Sequence, residues 1–298
     1  MNLILSLKKT LAATMLGAAF VTTASAASIT IGGKGFTEQL LIAEMTSQYL
    51  QAKGYETELK TGMGTTLVRE ALENKQVDMY WEYTGTAFLT FHKNTFENQA
   101  ADVIYSAVKE KDMGDGIVWL DASKANNTYA LAMRRADAEA KNISTLEDLA
   151  TKINAGESLS FGCNIEFYQR DDGLKPLQEA YGFEFGRANV KRMDTGLVYK
   201  ALNESEVDVG LVFATDGRIP AFDFVVLTDT KNYFPAYALT PTVRQETLDA
   251  NPELAAQLNT LSATLDDATM ARLNAQVDVD KKSVQEVAAT FLTEAGLL

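Results

Sequence analysis

Four aromatic residues in this chain, Tyr83, Tyr129, Phe213 and Tyr237, can do chemistry that needs no nucleophile. A ring face attracts a cation through its quadrupole, by about 0.5–2 kcal/mol per ring once water is excluded. Several rings around one pocket select a quaternary ammonium over a primary amine. The methylated cation is weakly hydrated, whereas a bare ammonium needs hydrogen bonds that rings do not supply. Other chemistry is scarce. His92 is the only histidine, so a His-based triad would rest on it alone, and clustered His metal sites are excluded. In FLTFHKN, beside a lysine, it is expected as an exposed loop residue. Cys163 is the only cysteine, which rules out an intrachain disulfide and reads as a small buried apolar residue. The carboxylates sit in helix-surface patterns such as ETLDANPEL and LDDATM and read as solvated faces. The turns GGKGF and GMGTT lack the GK[ST] ending of a P-loop. They read as strand-to-helix turns whose backbone N–H groups are free to meet a carboxylate. No metal, no cofactor and no enzymatic centre are expected.

What singles out these four rings is where the chain must place them. Residues 63–78, MGTTLVREALENKQVD, recur 130 residues later as MDTGLVYKALNESEVD, with half of the sixteen aligned positions identical. Each copy has a threonine, Thr65 or Thr195, ahead of a helical run, then a polar turn into an apolar strand, VDMYWEY or VDVGLVF. The period is too long for a solenoid and predicts two similar α/β lobes. Tyr83 and Phe213 then become equivalent residues at the carboxyl ends of two strands, where open α/β sheets bind ligands. Tyr129 falls at the first crossing between lobes, near Asn126 to Thr128, and Tyr237 follows the second, which runs through Lys231 to Tyr237. By contrast, Tyr49, Tyr55, Tyr105 and Tyr199 fit helix or strand packing. The order strand Ser28–Gly33, helix from Thr37, strand Tyr55–Lys60, then the repeat unit predicts a mostly parallel sheet with right-handed crossovers. From Arg244 onward the pattern predicts two or three helices packed back on the first lobe. The expected division is 27–127 in the first lobe, 128–232 in the second and 233–298 returning to the first.

Residues 1–26 carry Lys8 and Lys9, a short apolar stretch from Thr10 to Val21, and the small-x-small site Ala24-Ser25-Ala26. That is the pattern of a cleaved secretory signal peptide, and it places the product in a periplasm. Removing it leaves about 272 residues, enough for one large domain or two smaller ones, each with its own core. With 25 basic and 40 acidic residues remaining, the mature formal charge is −15. Such acidity argues against nucleic-acid and anionic-membrane partners. Any anion site has to be built locally, against the overall field.

GGKGFTEQLLIAEM, WEYTGT, NNTYAL, EFYQRDDG, FATDGRIPAFDFVVLTD and YFPAY, in this order over essentially the whole mature chain, resemble the substrate-binding proteins of ABC importers for osmoprotectants. Those proteins bind glycine betaine, proline betaine, choline or carnitine. The resemblance implies a two-lobed, type II periplasmic binding fold, a monomer, and a permease in the inner membrane as partner. It implies an aromatic cage for the trimethylammonium head at Tyr83, Tyr129 and Tyr237. The fourth cage position falls on Phe213, where tight-binding relatives often carry Tyr, so one wall is weakened. It further implies carboxylate contacts from Lys34, Thr86 and Arg170, with Gln39 and Asn127 lining the same pocket. Two other readings make different demands. An amino-acid binder would offer the ligand's amine a carboxylate such as Glu166 or Asp216. An enzyme on a similar two-lobed fold would need a reactive side chain in the cleft.

Overall fold

The computed structural model describes residues 27–298; the expected signal peptide lies outside them. Two five-stranded sheets have the same plan. The first runs β2 (Glu56–Met63), β1 (Ser28–Lys34), β3 (Met79–Tyr83), β10 (Leu239–Arg244), β4 (Ile117–Trp119). The second runs β7 (Val190–Arg192), β6 (Phe161–Cys163), β8 (Val209–Phe213), β5 (Tyr129–Arg134), β9 (Phe224–Val226). In each sheet four strands point one way, and one, β10 or β5, is reversed. The reversed strand is the one that follows an interlobe crossing. The two crossings lie side by side: Asn126 bridges Ala238, and the Asn127 N–H donates to the Tyr237 carbonyl at 3.1 Å.

The sequence repeat is a structural one and is longer than its identical residues show. Helices Thr65–Glu73 and Thr195–Asn203 lead into β3 and β8, whose five residues each are all buried. Central strands covered on both faces need continuous apolar runs, and these two have them apart from Glu82. Thr65 and Thr195 are the first residues of their helices rather than caps; Gly64 and Asp194 precede them without a side-chain cap bond. Asp78 takes the Thr30 N–H at 2.7 Å and Asp208 the Ser160 N–H at 2.8 Å, each tying a central strand to its neighbour. Gly32 and Gly162 sit at matching places. A methyl on the first would lie 3.0 Å from Val68 and on the second 3.3 Å from Val207, so helix, turn and strand close in tightly on both.

Beyond Arg244 there are four helices, Gln245–Ala250, Leu254–Ser262, Asp267–Asp278 and Val284–Glu294. The periodicity predicts two or three; the short first one has too few residues to show a period. The last three pack on helix Thr37–Ala52 of the first sheet's layer. His92, expected on an exposed loop, is buried. Its Nε2 stands 3.0 Å from Asp112, a carboxylate also held by both terminal nitrogens of Arg69 and by the Trp119 indole. Cys163 is buried in the hydrophobic core, and burial pushes its thiol up to about 12. No described helix is long and apolar enough to cross a membrane.

Candidate functional site

The strand reversal explains why the four rings meet. Tyr83 and Phe213 end the forward strands β3 and β8, while Tyr129 begins the reversed strand β5 and Tyr237 lies two residues before β10. An antiparallel pair puts the end of one strand beside the start of the other, and the register does this at Tyr83/Leu239 and Phe213/Tyr129. All four rings are at most 9% exposed and line one cleft of about 680 Å³ between the sheets. Tyr129 meets Tyr237 edge-on at 5.5 Å and Phe213 at 5.2 Å between ring centres. Burial raises the phenols of Tyr83, Tyr129 and Tyr237 above the usual tyrosine range, so the rings are neutral and their hydroxyls keep their protons.

A fifth ring completes the series and is not evident from the sequence. Phe36, on the turn between β1 and helix Thr37–Ala52, stacks on Phe213 at 5.3 Å and 6° and lies 6.2 Å from Tyr83. The rings therefore run without a break from Tyr237 through Tyr129, Phe213 and Phe36 to Tyr83. Behind them, the Tyr199 hydroxyl accepts the Phe213 N–H at 2.9 Å, while Phe167 and Phe234 back Tyr129 at 5.3 and 6.2 Å. Tyr199 is buried packing, as its spacing predicts.

Of the polar residues expected here, Lys34, Thr86 and Asn127 line the cleft and Gln39 and Arg170 do not. Lys34 is 4% exposed, and its ammonium is paired with the buried Glu82 at 2.5 Å, 5.0 Å from the centre of the Tyr83 ring. Gln39 is fully buried behind the wall. Its amide donates to the Trp81 carbonyl at 3.0 Å and the Tyr83 hydroxyl at 3.1 Å, so it orients a ring instead of meeting a ligand. Arg170 is forked onto Asp172 at 2.7 and 2.5 Å, reaches Glu166 at 3.3 Å, and lies 5.6 Å from the Tyr129 ring centre. A residue two positions away satisfies most of this guanidinium because the helix Ile165–Gln169 ends at Arg170, and the extended backbone there turns Asp172 back on it. Arg192 and Arg218 line the cleft in its place. Arg218 is held by Asp216 at 2.6 Å and Asp278 at 3.2 Å, whereas Arg192 is exposed and lies 4.9 Å from the Tyr168 ring centre.

Residue Glu38 also went unnoticed in the sequence. It is buried beneath the cleft and accepts four bonds: from the Tyr83 hydroxyl and the Asn127 amide on one oxygen, and from the Thr215 hydroxyl and the Asn274 amide on the other. Desolvation, only partly offset by those four donors, raises its pKa above the usual carboxylate value. No group of three or more His, Cys, Asp or Glu side chains among the described residues is placed to hold a metal ion.

The family model for the substrate-binding domain of ABC-type glycine betaine transport systems matches residues 27–294. The chain belongs to this family. The glycine-betaine-binding protein of Pseudomonas aeruginosa is 42% identical over 281 residues, covering 92% of this chain and 90% of that one. The glycine betaine-binding protein YehZ of Escherichia coli is 32% identical over 290 residues, covering 95% of each. Among solved structures, a glycine betaine/carnitine/choline ABC transporter protein superposes with a TM-score of 0.74 at 28% identity, covering 90% of this chain and 99% of that one. This is a family of transport proteins and not of enzymes, and its two-lobed architecture is the one described above.

Proposed function

We propose that this protein is a periplasmic solute-binding protein that holds a quaternary-ammonium osmolyte of the glycine betaine type in its aromatic cleft and delivers it to an ABC permease. The observation that carries the reading is the convergence of Tyr83, Tyr129, Phe213 and Tyr237, brought from four chain segments onto one cleft. The ligand's trimethylammonium head packs against these rings, and Lys34, Thr86 and Asn127 of the same cleft face its polar end. Export rests on the pattern of residues 1–26, and the lobe division 27–127, 128–232 and 233–298 follows the sheet to which each strand belongs. We read the working unit as a monomer that closes by hinge motion at its two adjacent crossings.

The rival readings find less support. Both carboxylates that could meet an amino-acid amine, Glu166 and Asp216, are engaged by arginines. An enzyme would need a reactive side chain or a cofactor lysine in the cleft; Lys34 there is paired with Glu82, and His92 and Cys163 do not line it. The test is calorimetric titration with glycine betaine, choline, proline betaine and glycine side by side, repeated with Tyr83→Ala, Tyr129→Ala and Tyr237→Ala. Quaternary ammonium compounds should bind and glycine should not. Each ring loss of roughly 1–2 kcal/mol should raise Kd about tenfold or more. Unchanged affinity in all three folded variants would remove the cage.

A further inference from the structure

The rings account for attraction to a cation but not for the charge buried around them. Two cations, Lys34 and Arg218, stand in this layer against four carboxylates, Glu38, Glu82, Asp216 and Asp278. Lys34 is paired with Glu82, and Arg218 with Asp216 and Asp278. Glu38, 3% exposed, forms no ion pair among the described residues and is held by neutral donors alone: Tyr83 at 2.8 Å, Asn127 at 2.8 Å, Thr215 at 2.5 Å and Asn274 at 3.2 Å. Asn127 and Asn274 both turn their amide donors to it, Asn274 donating also to the Thr215 carbonyl at 3.0 Å, and each Oδ1 is left buried and without a partner among the described residues. Leaving two acceptors unmet is unfavourable unless the group they serve is an anion, because bonds to an ionised acceptor are the stronger ones. A buried carboxylate without a counter-ion is costly and is retained where function needs it.

Resting on the cation-binding reading above, we propose that Glu38 supplies the fixed counter-charge for the ligand's cation, acting through the Tyr83 hydroxyl. The hydroxyl donates to Glu38 while the ring of the same residue faces the cleft. A negative charge held against the phenol oxygen pushes electron density into the ring and makes its face more attractive to a quaternary ammonium. Lys34, 5.0 Å from the same ring, would oppose this, but Glu82 offsets it. Since Glu38 does not line the cleft, it is a positioning residue: it tunes a ring that touches the ligand and does not touch the ligand itself.

The test is a double-mutant cycle of Glu38→Gln and Tyr83→Phe, read as the Kd for glycine betaine by calorimetry, with thermal melting as the check of folding. Each single change should raise Kd about tenfold, or about 1.4 kcal/mol. The double variant should bind within about twofold of Tyr83→Phe alone, because removing the hydroxyl already disconnects Glu38. A Glu38→Gln effect that persists in full without the hydroxyl overturns the proposal and makes Glu38 a latch between lobes through Thr215 and Asn274. So does a Glu38→Gln protein that binds like wild type. Should Glu38→Gln fail to fold, Tyr83→Phe decides alone, and unchanged affinity there overturns the proposal. A wild-type protein that binds neither glycine betaine nor choline fails at the ligand reading itself, an outcome separate from an additive cycle.

Discussion

Adding one methyl group at Gly85 should damage the cleft from behind. A Cβ there would stand 2.8 Å from the Ala236 carbonyl oxygen and 2.8 and 2.9 Å from Cδ1 and Cε1 of Tyr237. Carbon atoms settle at about 3.5–4.0 Å, so the ring or the crossing strand has to retreat by about 0.6–1.2 Å. The strand is the stiffer of the two. The Thr84 hydroxyl donates to the Ala236 carbonyl at 3.1 Å and accepts the Ala238 N–H at 3.0 Å, and the Tyr237 N–H donates to Asn126 Oδ1 at 2.7 Å. Most of the displacement therefore falls on the Tyr237 ring, which moves relative to Tyr129, 5.5 Å away. Overpacking of this kind costs about 1–3 kcal/mol. For a chain of this size that lowers the melting temperature by about 2–10 °C. Loss of good contact with one ring should in addition weaken quaternary-ammonium binding about five- to tenfold. Gly64→Ala is the control: Gly64 also lines the cleft, a methyl there meets nothing within 4 Å, and its φ of −75° suits any residue. Both proteins are compared by titration calorimetry and thermal melting. If Gly85→Ala matches Gly64→Ala in both, Tyr237 is not seated on Gly85 and the argument fails.

Two further variants probe the walls. Arg170→Lys should weaken glycine betaine and choline by the same small factor and lower the melting point, because the fork onto Asp172 is lost and no ligand contact is; a selective loss for betaine would show instead that Arg170 reads the carboxylate. Phe213→Tyr should tighten quaternary-ammonium binding by roughly one kcal/mol or less, mainly through slower release. A lower melting point with unchanged release would mean that the added hydroxyl is buried without a partner.

The strand ends were legible from the sequence and the layer behind them was not, for a physical reason. Tyr83 and Phe213 could be placed because a repeated helix–strand unit carries each to the same edge, so one alignment positions both. Tyr129 and Tyr237 followed from the two crossings. Glu38 belongs to no pattern: its bonds to Asn127, Thr215 and Asn274 span 89, 177 and 236 residues of chain, distances at which local periodicity carries no information. Phe36 is a lone aromatic on a glycine-rich turn, and only the packed structure shows that it bridges Tyr83 and Phe213. For Gln39 and Arg170 a pattern can say that a residue is near a strand end, but not which side of a ring its polar group takes. Gln39 lies behind Tyr83, and Arg170 is drawn off the cleft by an acid two residues away.

The two halves of the repeat also show how one framework yields an asymmetric cleft. Positions that hold the sheets together keep their chemistry: Asp78 and Asp208 clamp Thr30 and Ser160, Gly32 and Gly162 admit the flanking helices, and Arg244 and Arg134 end the reversed strands beside those aspartates. At and behind the cleft, Met63 and Met193 and Thr65 and Thr195 match, while positions at the strand ends differ. Lys34 has Asn164 as its counterpart, Glu82 has Val212, and Tyr83 has Phe213. The first lobe thus keeps a hydroxyl-bearing ring, a buried ion pair and Glu38, while the second offers a plain ring at the matching place. A ligand with a cationic head and a polar tail is unlike at its two ends, and a cleft with two identical walls could not distinguish its orientations. Divergence at the strand ends contributes that distinction, because a strand's last residue faces the cleft while the strand itself stays paired and buried.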